Sequence, residues 1–419
     1  MSGRKFTIDL GANAIAFGLA AVAGVLINLV IIRHYDASAL GVFNLVYAAY
    51  ILLSQLAVGG VHLAVQAMVP ERVAKRLPVH SVVTSAMIIS TVSSVIVMTA
   101  AWYFRDLPGR WFDSPVVGEA FGKVVLGLLF FSWNKVLLSF HNGARRMKLF
   151  ALFQFLRPAI MLGLIILLAF RDAEPQELPA VLAYTEMILF TILFPVSMGW
   201  WHPWHAEELF VSLIRTFRFG NKALPGNLLL DVNTRVDVVM LGLFTTDAQV
   251  GLYSFAATVA EGLVQLPVLF RNNINPVIAH AYAKGGPGTL ERIIARNRRV
   301  FFKILAPLAL ISIPLFPLGL WVLGMNDSPR TVWAVYAILA LGIAASSGHL
   351  PFQMLFSQLG APGTQTLFIG LVFLSNVILN LLLIPMAGIY GAALATSLSF
   401  IALAIILHRL AFRTFAIRL

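Results

Sequence analysis

The sequence predicts an all-α integral membrane protein of about twelve transmembrane helices, with both ends in the cytoplasm. Three observations predict it: a composition that water cannot solvate, apolar runs of membrane-spanning length repeated along the chain, and a lopsided distribution of basic residues. Of 419 residues, 59% are hydrophobic and only 11% charged, against roughly a quarter charged in a soluble domain. A surface so poor in charge requires lipid as its solvent. The chain has no cysteine, which excludes disulfides, thiolate metal sites and cysteine nucleophiles. Its net charge of +12 would suggest nucleic acid in a soluble protein; here the placement of the charges explains it instead.

Crossing the hydrocarbon takes about 20 apolar residues. Such runs fall near 11–33, 41–64, 79–104, 120–141, 149–170, 178–200, 221–244, 250–271, 302–324, 331–356, 364–386 and 388–410. The first follows Arg4 and Lys5 in the manner of a signal peptide. It is longer than the ~7–15 residues of a signal core, so it is expected to stay as the first helix. The run at 221–244 is the weakest, carrying Asp231, Arg235 and Asp237. When polar segments are assigned alternately to two sides, 21 of the 30 basic residues share the side of the N-terminus. Only Arg33, Arg105, Arg110, Arg171 and Arg330 fall on the other side, and the remaining four lie within spans. Basic residues resist translocation, so the richer side is cytoplasmic. Prolines inside the spans (Pro158, Pro195, Pro225, Pro267, Pro307, Pro314 and Pro317) read either as ordinary kinks or, as a set, as the broken helices of a moving transporter.

A shift of about 210 residues lays one motif on another. Ser38-Ala39-Leu40-Gly41-Val42-Phe43-Asn44 follows the first helix, and Ala248-Gln249-Val250-Gly251-Leu252-Tyr253-Ser254 follows the seventh. Both are a short turn, then glycine-aliphatic-aromatic, then a new helix. The repeat divides the chain into six-helix lobes at 1–210 and 211–419, related by an axis along the membrane normal, with the substrate site between them.

Four stretches carry a resemblance to a known family. They are Arg33-His34-Tyr35 through Ala39-Leu40-Gly41-Val42-Phe43; Arg235-Val236-Asp237 through Gly242 with Val250-Gly251-Leu252-Tyr253-Ser254; Asn275-Pro276-Val277-Ile278-Ala279 with Tyr282 and Gly285; and Ile384-Pro385 with Gly388-Ile389-Tyr390-Gly391 through Thr396. In order and spacing they resemble the polysaccharide-transporter branch, that of the Wzx O-antigen flippases, of the multidrug/oligosaccharidyl-lipid/polysaccharide flippase superfamily. The resemblance implies two six-helix lobes around a central cavity, alternating access, and a lipid-linked glycan as cargo. It also implies a bacterial inner-membrane protein of lipopolysaccharide and O-antigen biosynthesis.

Ionisable groups at membrane depth are costly and face partners or a watery cavity. At ~1.5 Å rise per residue, Arg157 lies about a third of the way up from the cytoplasm and Lys135 lower. Arg235 and Glu261 fall near the middle, Asp237 and Glu186 in the outer half. Asp231 and Arg235 are four apart, so on one helix they pair, and Asp237 points nearly opposite. Arginine's planar fork suits the phosphate or pyrophosphate of a lipid-linked sugar. Arg157 and Arg235, then Lys135, are therefore the candidate substrate cations, with Arg157 first because its own span holds no acidic neighbour at helical spacing. Asp237, Glu186 or Glu261 are candidates for a coupling proton or sodium ion, and Asp231 for cavity pairing. The competing reading makes all of them ion pairs that hold helices together.

The stretch from Lys284 to Lys303 reads as a cytoplasmic amphipathic surface helix, with Leu290, Ile293, Ile294 and Phe301 toward lipid. His34, His62, His141, His280 and His349 show no ligand spacing, and neither a metal nor a cofactor is expected. The expected partners are membrane lipid and lipid-linked glycan, with polysaccharide polymerase or assembly proteins beside them, and no nucleic acid. Two other functions fit less well. A multidrug antiporter of the same superfamily would bring cationic cargo to a cationic cavity. A membrane polymerase or glycosyltransferase would need an outside loop larger than the short ones present.

Overall fold

The computed structural model describes residues 3–202, 208–325 and 328–417, the side chains at 3–14 and at several positions between 269 and 285 excepted. Arg418 and the side chains of Arg4, Lys5 and His280 lie outside the described residues. Every regular element among the described residues is helical. This follows from lipid as solvent: an α-helix satisfies its backbone hydrogen bonds within the segment, and irregular chain does not.

The chain divides into two compact units, Met1–Tyr35 with Val42–Val232, and Asp36–Gly41 with Asn233–Leu419. The first holds α1 (Gly3–His34), most of α2 (Ala37–Val58), α3 (Val61–Ala74), α4 (His80–Tyr103), α5 (Leu107–Trp111), α6 (Pro115–Val124), α7 (Gly127–Gly143), α8 (Met147–Phe170), α9 (Ala180–Met198) and α10 (Leu209–Asn233). The second holds α11 (Val236–Phe244), α12 (Asp247–Val322), α13 (Pro329–Ser346), α14 (Leu355–Gln358) and α15 (Pro362–Phe415).

Among the described residues eight helices are long and apolar enough to cross a membrane alone, and α6 and α7, bent by 51° to one another, meet the same measure together. α15 has 54 residues, far more than one crossing needs, and breaks at Gly388 (φ 54°, ψ −128°). α12 has 76 residues and breaks at Gly286 (φ 65°, ψ −168°). Both breaks sit in the left-handed half of φ space, where glycine carries no Cβ penalty. Beyond Gly388 the second half of α15 is again long enough to cross.

Two elements differ from the sequence reading. The seventh crossing is not one helix. α10 ends at Asn233, and Arg235 (φ −131°, ψ 0°) is the cap of α11. In the polar run from Asp231 to Arg235, asparagine and threonine side chains offer the backbone alternatives to helical hydrogen bonds. The stretch from Lys284 to Lys303 is not a separate surface helix either. Beyond Gly286 it is continuous with the crossing that ends at Val322. Leu290 and Ile294 face protein, in a cluster with Ile274, Ile278, Phe356, Phe368 and Leu407, while Arg292 and Arg299 remain exposed.

Helices in lipid gain little from hydrophobic burial against one another, so close packing and interhelical hydrogen bonds hold them. Asn44 of α2 donates to Asn28 of α1 at 3.1 Å, and Trp133 of α7 donates to Thr91 of α4 at 2.8 Å. The tightest approach joins the two copies of the repeated motif. A methyl group on Gly41 would overlap the carbonyl of Asp247, and one on Gly251 would overlap the carbonyl of Ala37. Residues 37 and 247, like 41 and 251, are 210 apart. The contact is therefore reciprocal between equivalent positions of the repeated motif, within the second unit.

Candidate functional site

The seven ionisable residues singled out from the sequence fall into two groups, one in each unit. In the first unit α7 carries Lys135 and α8 carries Arg157, and the ring of Phe131 lies against both. The Lys135 ammonium is 5.5 Å from its centroid and the Arg157 guanidinium 5.0 Å. Tyr50 meets the same ring edge-on, with centroids 6.0 Å apart.

Arg157 is paired. Its Nη2 donates to Glu186 Oε2 at 3.1 Å, and Nε lies 2.8 Å from Oε1. Glu186, on α9, also accepts from Asn134 Nδ2 at 2.8 Å. Its side chain is only 4% exposed. No acidic residue stands at helical spacing from Arg157 in its own span, but one arrives from the neighbouring helix. The depth estimates set these residues at different levels. The length of an arginine side chain and ordinary helix tilt close that gap.

Lys135 is held differently. Its Nζ donates to Gln55 Oε1 of α2 at 2.6 Å, while the carboxylate of Asp231 on α10 lies 3.9 Å away. Asn227, one turn before Asp231, donates to Gln55 Oε1 at 3.3 Å and to Asp231 Oδ2 at 3.1 Å. The four side chains close a polar ring across three helices. The expected pairing of Asp231 with Arg235 assumed one continuous helix. α10 ends at Asn233, between the two residues, and the carboxylate of Asp231 also stands 3.9 Å from Lys135.

In the second unit a cavity of about 410 Å³ is lined by Arg235, Asp237, Tyr253, Glu261, Asn376 and Thr396, among others. Asp237 opens α11 and accepts from the Val238 backbone N–H at 2.9 Å. The hydroxyl of Tyr253, on α12, donates a short hydrogen bond to its other oxygen and lies 3.3 Å from Thr396 Oγ1 of α15. Asn380 donates to Asn376 one turn away. Asp237, Glu261 and Arg235 thus line one cavity, although Asp237 was expected to point nearly opposite to Arg235. A larger open hollow of about 830 Å³ lies over α5 and α6, and none of the seven ionisable residues lines it.

The sequence reading missed Gln55, Phe131, Asn134 and Asn227 in the first unit, and Asn376 and Thr396 in the second. All are uncharged, so a search for intramembrane charge passes over them. The available signal was an amide or hydroxyl within an apolar run, which is also costly to bury unpaired, though less so than a charge. Tyr253 was visible as the aromatic of the second repeat motif. Among the described residues no group of three or more histidines, cysteines or carboxylates is arranged to hold a metal ion. His141 hydrogen-bonds Ser197 at 3.0 Å, a structural contact.

Comparison with known proteins agrees with this architecture. The probable flippase AglR of Haloferax volcanii is 28% identical over 167 residues, a stretch that takes in 39% of this chain and 35% of the relative, so the match spans about a third of that protein. Among solved structures, the lipid II flippase MurJ in an inward closed conformation superposes with a TM-score of 0.76 at 14% identity, covering 96% of this chain and 87% of the other. An inward-facing multidrug resistance MATE family transporter of the MOP superfamily gives 0.72 at 12% identity, covering 92% of each chain. At such identities these two speak for the fold alone. The family model described as "Polysaccharide biosynthesis protein" matches residues 37–323, more than half of the chain, from the first repeat motif through both charged groups. The protein is a multi-pass membrane protein of that polysaccharide biosynthesis family, in the superfamily its four sequence stretches resemble.

Proposed function

We propose that this protein translocates a lipid-linked oligosaccharide, the repeat unit of a cell-surface polysaccharide of the O-antigen kind, across the cytoplasmic membrane. One observation carries the reading: two cations at membrane depth, Lys135 and Arg157, share the ring of Phe131, and the lysine is only loosely neutralised. A lipid-linked sugar presents a phosphate or pyrophosphate between an apolar chain and a polar glycan, and fixed cations are what such a group needs once it leaves water. Family membership and the printed description of AglR as a probable flippase support it.

Transport is by alternating access between the two repeat-related halves, with both termini in the cytoplasm. No bond is made or broken. Asp237 is the proposed site for a coupling proton or sodium ion, supported by its cavity and by the neutral donors Tyr253 and Thr396 around it. Arg235 borders the same cavity and is the second candidate contact for the anionic headgroup.

The test is flipping of a fluorescent lipid-linked oligosaccharide in proteoliposomes, comparing wild type with Lys135→Ala, Arg157→Ala and Arg235→Ala at matched folded yield. The reading predicts flipping by wild type and loss in at least the Lys135 variant. If wild type fails with anionic lipid-linked glycans and extrudes a cationic dye instead, the multidrug-antiporter reading replaces it. Flipping that persists undiminished in all three variants would remove the cationic site from the mechanism.

A further inference from the structure

Lys135 and Arg157 have similar neighbourhoods and very different partners. The guanidinium of Arg157 faces both oxygens of a carboxylate that is 4% exposed and braced by Asn134. The ammonium of Lys135 has three N–H donors and one acceptor at hydrogen-bonding distance, the amide oxygen of Gln55 at 2.6 Å. Its carboxylate neighbour Asp231 stands at 3.9 Å, beyond hydrogen-bond range, and both side chains keep access to solvent, 23% and 35% exposed. Asn227 turns one amide group toward both Gln55 and Asp231.

From this geometry we propose that Asp231 is an exchangeable counter-ion: its carboxylate balances Lys135 while the site is empty, and the phosphate or pyrophosphate of the cargo takes its place. Gln55 and Asn227 are positioning residues for the exchange. This rests on the cargo reading given above and assigns the point at which the cargo's anion is received.

The chemistry of the exchange is balanced. One anion replaces another beside the same ammonium, so Lys135 keeps a counter-charge throughout, and the carboxylate that gives way is partly exposed at 35%, where losing its cation costs far less than it would for a buried one. Gln55 holds the lysine by one donor and leaves the others directed to the ring that Asp231 closes. The amide of Asn227, already donating to a carboxylate oxygen, donates equally to a phosphate oxygen. The returning carboxylate then has a second effect: it competes with bound cargo and promotes release. Arg157 is excluded from the exchange because displacing Glu186 would open a buried, two-point ion pair and leave the carboxylate without its cation. Phe131 gives both cations a common wall, so an anion seated on Lys135 lies near the field of Arg157 without contacting it.

The test separates binding from transport. Binding of a fluorescent polyprenyl-pyrophosphate disaccharide to the purified protein in lipid nanodiscs is titrated, with inorganic pyrophosphate as competitor. The same lipid is then followed across proteoliposomes as a function of its concentration. Asp231→Asn, which keeps the shape and the hydrogen bond to Asn227, is expected to tighten binding about fivefold, the size of one partly exposed ion-pair coupling, and to lower the maximal flipping rate. Lys135→Gln is expected to abolish saturable binding, and Lys135→Arg to restore part of it. Thermal melting of each variant confirms the fold, and Asp231→Asn with Lys135→Arg suffices if Lys135→Gln does not fold.

Weaker or unchanged binding in Asp231→Asn overturns the exchange. Displacement of the lipid by inorganic pyrophosphate at comparable concentration overturns the assignment to a lipid-linked anion. If wild type binds the lipid but does not flip it, the transport reading falls, and the binding arm alone judges the exchange. If wild type neither binds nor flips it, both fall.

Discussion

The two charged groups of this protein hold their carboxylates by different contacts. In the first unit each acid faces a base from another helix: Glu186 on α9 meets Arg157 on α8, and Asp231 on α10 faces Lys135 on α7. In the second unit Asp237 receives a backbone N–H and a tyrosine hydroxyl, and it looks into a cavity that Glu261 and Arg235 also line. Fixed counter-charges suit a site that must stay neutral while it waits for an anion. On the proposed function, the neutral donors around Asp237 leave part of its charge to be met by a coupling ion. Within the first unit the contrast repeats on a smaller scale, the arginine being locked and the lysine loosely held.

The sharpest break in that comparison comes from removing the lock. Glu186→Ala leaves the Arg157 guanidinium at membrane depth without its carboxylate and removes one of the two acceptors of Asn134, whose hydrogen bond to the backbone carbonyl of the same residue remains. A broken buried ion pair typically costs about 3–5 kcal/mol, so folded yield and melting temperature in detergent should fall further than in any other variant considered. The double variant Arg157→Leu with Glu186→Leu should recover much of that loss, because two apolar side chains replace two charges together. If the single variant melts like wild type, the pair is not the strut that its geometry indicates.

A middle-sized effect tests the second unit. Tyr253→Phe keeps the buried ring and removes the one hydroxyl that Asp237 accepts from, and it takes the same group away from Thr396. A hydrogen bond to a charged partner contributes about 1.5–3 kcal/mol, and the loss should appear as a lower melting temperature. The same variant should shift the ion dependence of flipping while leaving half-saturation by the lipid cargo near its wild-type value. A change in lipid half-saturation with no change in ion dependence would mean that the cavity serves the cargo instead.

Much of this architecture is legible in the chain itself, because a membrane simplifies the reading. Runs such as 149–170 and 364–386 have one physical use at that length, and α8 and the first half of α15 cover them. Glycine 41 and glycine 251 stood out only through a weak repeat, and their reciprocal contact shows why that motif is kept short and bare. What failed was local. The run 221–244 looks like one helix on paper, yet α10 ends at Asn233 and α11 begins at Val236. Leu290 and Ile294 look lipid-facing on an amphipathic segment, yet protein rather than lipid covers them. Periodicity identifies an apolar face; it does not say which apolar medium the face meets. Pairing between helices was the hardest to foresee, since Arg157 and Glu186 are brought together by packing that spacing along one helix does not encode.

The smallest expected effect sharpens the comparison most. Asp231→Asn should change the melting temperature very little, because its ion pair is long, partly exposed and of the kind that contributes about 0–1 kcal/mol, while the asparagine still accepts from Asn227. The same change should be plainly visible in cargo binding. A substitution nearly silent in stability and active in function separates a held charge from a working one, as its counterpart at Glu186 should show the reverse. If Asp231→Asn proves as damaging to the fold as Glu186→Ala, the two pairs are alike, and the lysine is as locked as the arginine.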